Sequence, residues 1–102
     1  MSRILKYKIS HLFQENLVMP ENSVILKVGV QDDSVFIWVK AGDNVSTCRR
    51  CFETYGTSGW LIAQDNLYFL DTVFLSGGLL AYHIFERIER KDQVESVPEF
   101  LL

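Results

Sequence analysis

The sequence predicts a single all-β domain, an antiparallel sandwich or barrel of about six to seven strands, followed by a C-terminal tail. Its 102 residues are enough for one hydrophobic core and little more. Short segments alternate apolar and polar side chains with the period of two that is typical of strands. Turn-forming Gly, Asn, Asp and Pro residues separate these segments. We place the β domain at residues 1–86 and the tail, either disordered or a short helix, at residues 87–102.

The first three strands are predicted at residues 4–10, 15–19 and 24–31. In the first, apolar side chains alternate with Lys6 and Lys8, which places the two lysines on the opposite face. The second strand ends at Pro20 and Asn22, which are suited to a turn. In the third, strict alternation puts four side chains on one face and three on the other: Val24, Leu26, Val28 and Val30 against Lys27, Gly29 and Gln31.

The fourth strand, at residues 35–40, follows a polar hairpin turn at residues 31–34. Both of its faces are apolar, because Phe36 and Trp38 alternate with three aliphatic residues. Such a strand is typical of the centre of a sheet or of an interface.

Three more strands are predicted at residues 47–55, 67–75 and 79–86. In the first of these, alternation puts Arg50 on one face and both Arg49 and Tyr55 on the other. A loop opens at residues 56–59 and runs to about residue 66. Ser76-Gly77-Gly78 indicates a tight turn between the last two strands, because Gly supplies the positive φ angle that hairpin turns need.

Composition argues against several classes of partner. With 13 acidic and 10 basic residues the net charge is −3, whereas proteins that bind long nucleic acids usually carry a basic excess. A small anionic ligand needs only a few local cations. No apolar run is long enough to span a bilayer, and the N-terminus has no secretion-signal pattern. We therefore expect no long nucleic acid, no membrane partner, and a cytoplasmic location with reduced thiols.

The sequence offers little for catalysis or metal binding. Cys48 and Cys51 have the spacing of a thiol redox or half-zinc motif, but in a strand they point to opposite faces and no second ligand pair follows. His11 and His83 are each isolated, and a lone histidine in a strand is more often a hydrogen-bonded packing residue. No nucleophile–base pair, carboxylate pair or phosphate loop is recognisable. We predict no enzyme, no catalytic residue, no metal and no cofactor.

A small binding site is predicted around the fifth strand and the loop after it. Arginine forks grip phosphate, glycine lets backbone amides approach an anion, and aromatic rings stack on a base. The residues that offer these groups are Arg49, Arg50, Tyr55, Thr57, Gly59 and Trp60. One of the two arginines should take part, because they face opposite ways. The alternative, which residue chemistry alone favours, is a strand with two solvated arginines and an ordinary loop anchored by a buried Trp60.

A series of segments in residues 4–86 carries a family resemblance. In order they are Lys6-Tyr7, Met19-Pro20, Ile25-Leu26-Lys27-Val28, Gln31, Trp38, Gly56-Thr57-Ser58-Gly59 and the closing His83-Ile84-Phe85-Glu86. In this order and spacing they resemble a family of small bacteriophage and prophage proteins. The loop reads Gly-Thr-Ser-Gly where the family has Gly-Thr-Gly, and a proline that usually follows it is absent.

The resemblance implies a phage accessory protein in the host bacterial cytoplasm. Small phage β-proteins of this kind include sponges that trap nucleotide signals made by bacterial defences such as Thoeris and CBASS, and they are commonly homo-oligomers. The expected function is therefore a homo-oligomeric counter-defence protein, a Thoeris inhibitor. It would bind a small phosphorylated nucleotide-like ligand, of the cyclic or conjugated ADP-ribose type, and sequester it without cleavage.

The alternative function is a protein–protein interaction module that binds and inhibits a host defence protein, or a structural phage accessory. It is indicated by the two apolar faces of residues 35–39 and by the apolar tail end Phe100-Leu101-Leu102. An enzyme that degrades a cyclic nucleotide ranks third, because His11 and His83 suggest no catalytic pair.

Overall fold

A computed structural model describes residues 1–10 and 13–88. Within them lie seven strands: β1 (Ser2–Ile9), β2 (Gln14–Pro20), β3 (Val24–Gln31), β4 (Ser34–Gly42), β5 (Thr47–Gly56), β6 (Leu67–Leu75) and β7 (Leu80–Arg87). A single 3-10 turn at Gln64–Asn66 precedes β6. No helix in this part of the chain is long and apolar enough to cross a membrane. The predictions for His11 and for the tail beyond residue 88 fall outside the described residues.

The strands form two antiparallel sheets that pack face to face. The first sheet has the order β1-β4-β3 and the second has the order β2-β5-β7-β6. Side chains from both sheets make up one core: Ile9, Met19, Val28, Val35, Ile37, Val39, Phe52, Val73, Leu75 and Ile84. Each sheet has its own hydrogen-bond ladder, so the described strands form a sandwich and not a closed barrel. The all-β prediction is confirmed.

Strand β4 occupies the centre of the first sheet, as its two apolar faces predict. Ile37 and Val39 are fully buried in the core, while Phe36 and Trp38 are half-buried on the outer face. Its neighbours β1 and β3 pair along almost its whole length. This central position makes β4 the main scaffold of the first sheet.

A β-bulge in β3 overturns the alternation predicted for that strand. The register with β4 shifts between Ile25 and Lys27, so Leu26 is the extra residue. Ile25 therefore packs against the core, whereas Val24 and Leu26 are 56% and 50% exposed. The prediction that Val24 lies on the same face as Val28 was wrong, because one inserted residue exchanges the two faces for the residues that precede the bulge.

Two hairpin turns stand at one end of the sandwich. Asp32 and Asp33, between β3 and β4, both have positive φ angles of 49° and 55°, as the two-residue hairpin turn requires. Ser76, Gly77 and Gly78 have positive φ angles in the turn between β6 and β7. The Asp33 carboxylate accepts a hydrogen bond from the Ser76 amide at 2.7 Å, which joins the two sheets. Both turns were predicted from sequence.

Candidate binding site

The structure does not bring the six residues of the predicted site together. Arg49 and Arg50 lie near the start of β5, whereas Thr57, Gly59 and Trp60 follow its end. The five residue steps from Arg50 to Tyr55 span about 17 Å in an extended strand. A small ligand therefore contacts one group or the other within a single subunit.

Arg50 lies on the inner side of the second sheet and connects β5 to β7 and to the turn between β2 and β3. Its Nε and Nη2 donate to the two carboxylate oxygens of Glu86 at 2.6 and 2.7 Å, and Nη1 donates to the carbonyl oxygen of Ser23. Glu86 is buried, and its hydrogen bond with Arg50 raises the pKa of the guanidinium above its ordinary value. Because its charge is already compensated, Arg50 has little to offer a phosphate.

Arg49 points to the opposite face and is exposed. It forms no ion pair with any residue in the described part of the chain. Together with Asn16, Asn22 and the acidic Glu21, it lines a cleft of about 440 Å³. If one arginine contacts an anion, as the sequence predicts, Arg49 is the one whose charge is available.

Cys48 and Cys51 are half-buried in the wall of the same cleft, and neither is in a disulfide. Across residues 1–10 and 13–88, no group of three His, Cys, Asp or Glu side chains is arranged to hold a metal ion. A structural zinc site needs four such ligands.

A buried ion pair anchors the loop that follows β5. Glu53 is only 1% exposed, and both of its carboxylate oxygens accept hydrogen bonds at 2.7 Å from Nε and Nη2 of Arg87. The remaining Arg87 donors reach the loop through the carbonyls of Ile62 and Ala63 and the side chain of Asn66. All five guanidinium N–H groups are therefore used, and residues 62–66 are tied to the second sheet.

Tyr55 belongs to this buried network and extends it into a row of aromatic rings. Its hydroxyl donates to Glu53 at 2.6 Å, and burial together with that bond raises the pKa of Tyr55. Its ring makes edge-to-face contacts with Phe13 and Phe85 at 5.3 and 5.5 Å between ring centroids, and Phe85 contacts Phe69 at 5.3 Å. Tyr55 is too buried to stack on a ligand, but Phe69, at the end of the row, is 57% exposed.

A cavity of about 250 Å³ opens beside the loop at residues 56–59. His83 is one of its lining residues. The Nε2 atom of His83 lies 3.0 Å from the Thr57 hydroxyl, and Nδ1 lies 2.8 Å from the Thr72 hydroxyl. The lining residues are Tyr55, Gly56, Thr57, Ser58, Gly59, Leu61, Phe69, His83 and Phe85. The cavity therefore combines aromatic walls, two loop hydroxyl groups and one imidazole.

Trp60 lies apart from both clefts. Its side chain is 88% exposed and does not line the cavity beside the loop. The expectation of a buried Trp60 that anchors the loop was wrong, because Arg87 does the anchoring through Ile62 and Ala63.

Sequence reasoning missed His83, Phe69 and Arg87 as members of this region. His83 was interpreted only as a hydrogen-bonded packing residue, and the structure confirms the hydrogen bonds. The strand pairing places it directly opposite Tyr55, far away in sequence. The one available signal was the alternation of β7, which puts His83 and Arg87 on the same face.

Acid should destabilise the fold through Glu53. The hydrogen bond from Arg87 lowers the pKa of this carboxyl, and this outweighs the opposite effect of burial. A carboxyl with a lowered folded-state pKa contributes stability at neutral pH that is lost as the pH falls through that pKa. We expect the free energy of unfolding, measured by urea titration, to decline below about pH 4.5, the ordinary pKa of a Glu side chain. The decline should be shallower in Glu53→Gln and unchanged in the exposed control Glu21→Gln; equal slopes in all three proteins would contradict it.

Residues 1–95 match the family described as "Domain of unknown function (DUF7352)". The matched region includes both sheets, the two clefts and the Glu53–Arg87 ion pair. No curated protein matches the chain, and no solved structure does.

Proposed function

We propose that this chain, a member of the DUF7352 family, is a phage-encoded counter-defence protein. It would bind a small nucleotide-derived signal in the host bacterial cytoplasm and sequester it intact. The observation that carries the proposal is the cavity beside the loop at residues 56–59. Phe69 offers an exposed ring for a base, and the hydroxyl groups of Thr57 and Ser58 can bind a sugar. The ligand we propose is of the cyclic or conjugated ADP-ribose type.

The titratable groups near the cavity, His83 and Glu53, are already hydrogen-bonded within the protein, which favours binding without cleavage. Both ring nitrogens of His83 already have threonine partners. Glu53 is held by two hydrogen bonds from Arg87 and one from Tyr55. The Glu53 carboxylate is therefore committed to Arg87 and Tyr55, and His83 could act as a base only on the Thr57 hydroxyl or after exchanging that hydrogen bond for one with the ligand.

A homo-oligomer would complete the site. The cavity has no arginine of its own, whereas Arg49 is exposed and without an ion pair among the described residues. The face around the cavity also exposes Phe69 and Phe74, with Leu79 85% exposed in the next turn. A second copy can cover such an apolar face and bring a cation to the ligand phosphate.

The test is native mass spectrometry of the protein mixed with cyclic and conjugated ADP-ribose signals. We expect a discrete added mass per subunit or per dimer, and intact ligand after denaturation. Phe69→Ala should weaken binding by about tenfold, while Tyr68→Ala should leave it unchanged. Tyr68 is the matched control because it is equally exposed on the same strand, at 56%, but lies outside the cavity.

Two results would contradict the proposal. Uptake of no ligand by a well-folded oligomer would remove the sequestration function. Recovery of a cleaved ligand would replace it with a hydrolase. If Phe69→Ala and the wild type bind the nucleotide signal with equal affinity, the signal binds at a place other than this cavity.

A protein-inhibiting module is the second candidate, favoured by apolar side chains that project into solvent. Trp60 is 88% exposed and Leu79 is 85% exposed, which is unusual for large apolar residues. This function predicts that Trp60→Ala abolishes counter-defence in infected cells while Phe69→Ala does not. The reverse pattern would support ligand sequestration.

A further inference from the structure

The outer face of the first sheet combines basic and aromatic side chains. The pairing of β1 with β4 sets Lys6 opposite Trp38 and Lys8 opposite Phe36, and the pairing of β3 with β4 sets Lys27 on the other side of Trp38. The lysines that frame the two rings are Lys6, Lys8, Lys27 and Lys40. In the register of these three strands, no Asp or Glu side chain points to this face.

The aromatic rings lie beside the ammonium groups. The Nζ of Lys6 is 4.2 Å from the centre of the Phe36 ring and 5.7 Å from that of Trp38. On the other side, Gly29 leaves room for the indole, since a Cβ there would lie 3.3 Å from the Trp38 ring. The half-buried indole therefore extends over β3 instead of standing away from the sheet. Lysine side chains are flexible enough to move off the rings when another planar group arrives.

The charge of this face is opposite to that of the whole chain. The net charge is −3, yet this face carries four of the five lysines of the sequence. The loops that follow β3 and β4 contain acidic residues, at Asp32, Asp33 and Asp43. At physiological salt, charges more than about 8 Å away are largely screened, so a local basic face can bind an anion. The prediction that the protein binds no long nucleic acid was based on the net charge of the whole chain and not on the charge of this face.

We propose that this face of the first sheet binds single-stranded nucleic acid. Unpaired bases can stack on Trp38 and Phe36 while the surrounding lysines contact the phosphates, which is how aromatic and basic side chains on exposed sheets hold single strands. In a duplex the bases are already stacked on one another, so a duplex could contact only the lysines of this face. An acidic protein or a lipid headgroup would likewise leave the rings unused. The site lies on the sheet opposite to the loop cavity and does not depend on the proposed function.

The first experiment uses the fluorescence of Trp38 itself. The chain has two tryptophans, so Trp60→Phe leaves Trp38 as the single reporter. We expect saturable quenching on titration with oligo-dT or oligo-U of about 12 nucleotides, within the usual range of single-strand site sizes, in about 50 mM salt. No quenching up to millimolar oligonucleotide would overturn the proposal. This measurement does not depend on whether a Trp38 variant folds.

The second experiment assigns the roles of rings and lysines by fluorescence anisotropy of the same labelled oligonucleotides. Trp38→Leu should weaken binding by about tenfold, and Trp60→Leu should leave it unchanged. For contacts to about four phosphates, the logarithm of the affinity should fall with the logarithm of salt concentration with a slope of about −3. Changing Lys8 and Lys40 together to Gln should reduce that slope by about 1.4, while the control Arg49→Gln should keep it.

Comparison probes separate single strands from other anions. Duplex of the same length, heparin and vesicles containing anionic lipid should each bind more weakly than the single strand. Equal or tighter binding of any of them, with no effect of Trp38→Leu, would overturn the proposal in favour of a general polyanion or membrane surface. Phe69→Ala should not affect oligonucleotide binding, and Trp38→Leu should not affect uptake of the nucleotide signal. Each of the two binding proposals can therefore be refuted without the other.

Discussion

Replacing Arg87 by alanine should lower the free energy of unfolding by about 3–5 kcal/mol, because it leaves a buried carboxylate without its counter-charge. Glu53 is 1% exposed and receives two of its hydrogen bonds from Arg87. The same substitution removes the donors that hold the carbonyls of Ile62 and Ala63. Urea denaturation at neutral pH measures the loss.

Two controls show whether burial of the charge is the cause. Arg49→Ala removes the same side chain from an exposed position and should change stability by less than about 0.5 kcal/mol. The double variant Glu53→Leu with Arg87→Met removes both charges and should be more stable than Arg87→Ala. If Arg87→Ala and Arg49→Ala were equally harmless, the Glu53–Arg87 pair would not be buried in solution.

The same ion pair connects stability to the candidate site. Arg87 fixes residues 62–66 over the second sheet, and the loop that forms the cavity at residues 56–59 precedes them directly. Loss of Arg87 should therefore expose residues 57–66 to faster hydrogen exchange and disturb ligand binding indirectly. For that reason Phe69, which is exposed and outside the ion pair, is the better test of binding.

Local alternation predicted most strands because it reports directly which face is buried. It succeeded for β1, β4 and β7, none of which contains an inserted residue. It failed in β3, where Leu26 is inserted into the ladder. A bulge depends on the fit between two strands, and no local pattern in β3 distinguishes Ile25 from Leu26 as the residue that faces the core.

The candidate site was harder to predict because it depends on strand order. The sequence grouped Arg49 with the loop residues because they are near one another in the chain, but an extended strand holds them apart. Conversely, the order β5-β7-β6 brings His83 and Phe69 to Thr57, although β6 and β7 follow later. The basic face arises in the same way, since β1 and β3 place lysines on both sides of β4.

Ile37→Ala should lower the free energy of unfolding by about 2–5 kcal/mol, as expected for a large-to-small change in a core that cannot fully collapse. Ile37 is 0% exposed at the centre of β4, where it pairs with Tyr7 on one side and Val28 on the other. The matched control is Leu26→Ala in β3, which removes an aliphatic side chain of the same size at a residue that is 50% exposed. It should change stability by less than about 0.5 kcal/mol in the same urea titration. Comparable losses for the two variants would mean that Leu26 faces the core, and that β3 pairs with β4 without a bulge.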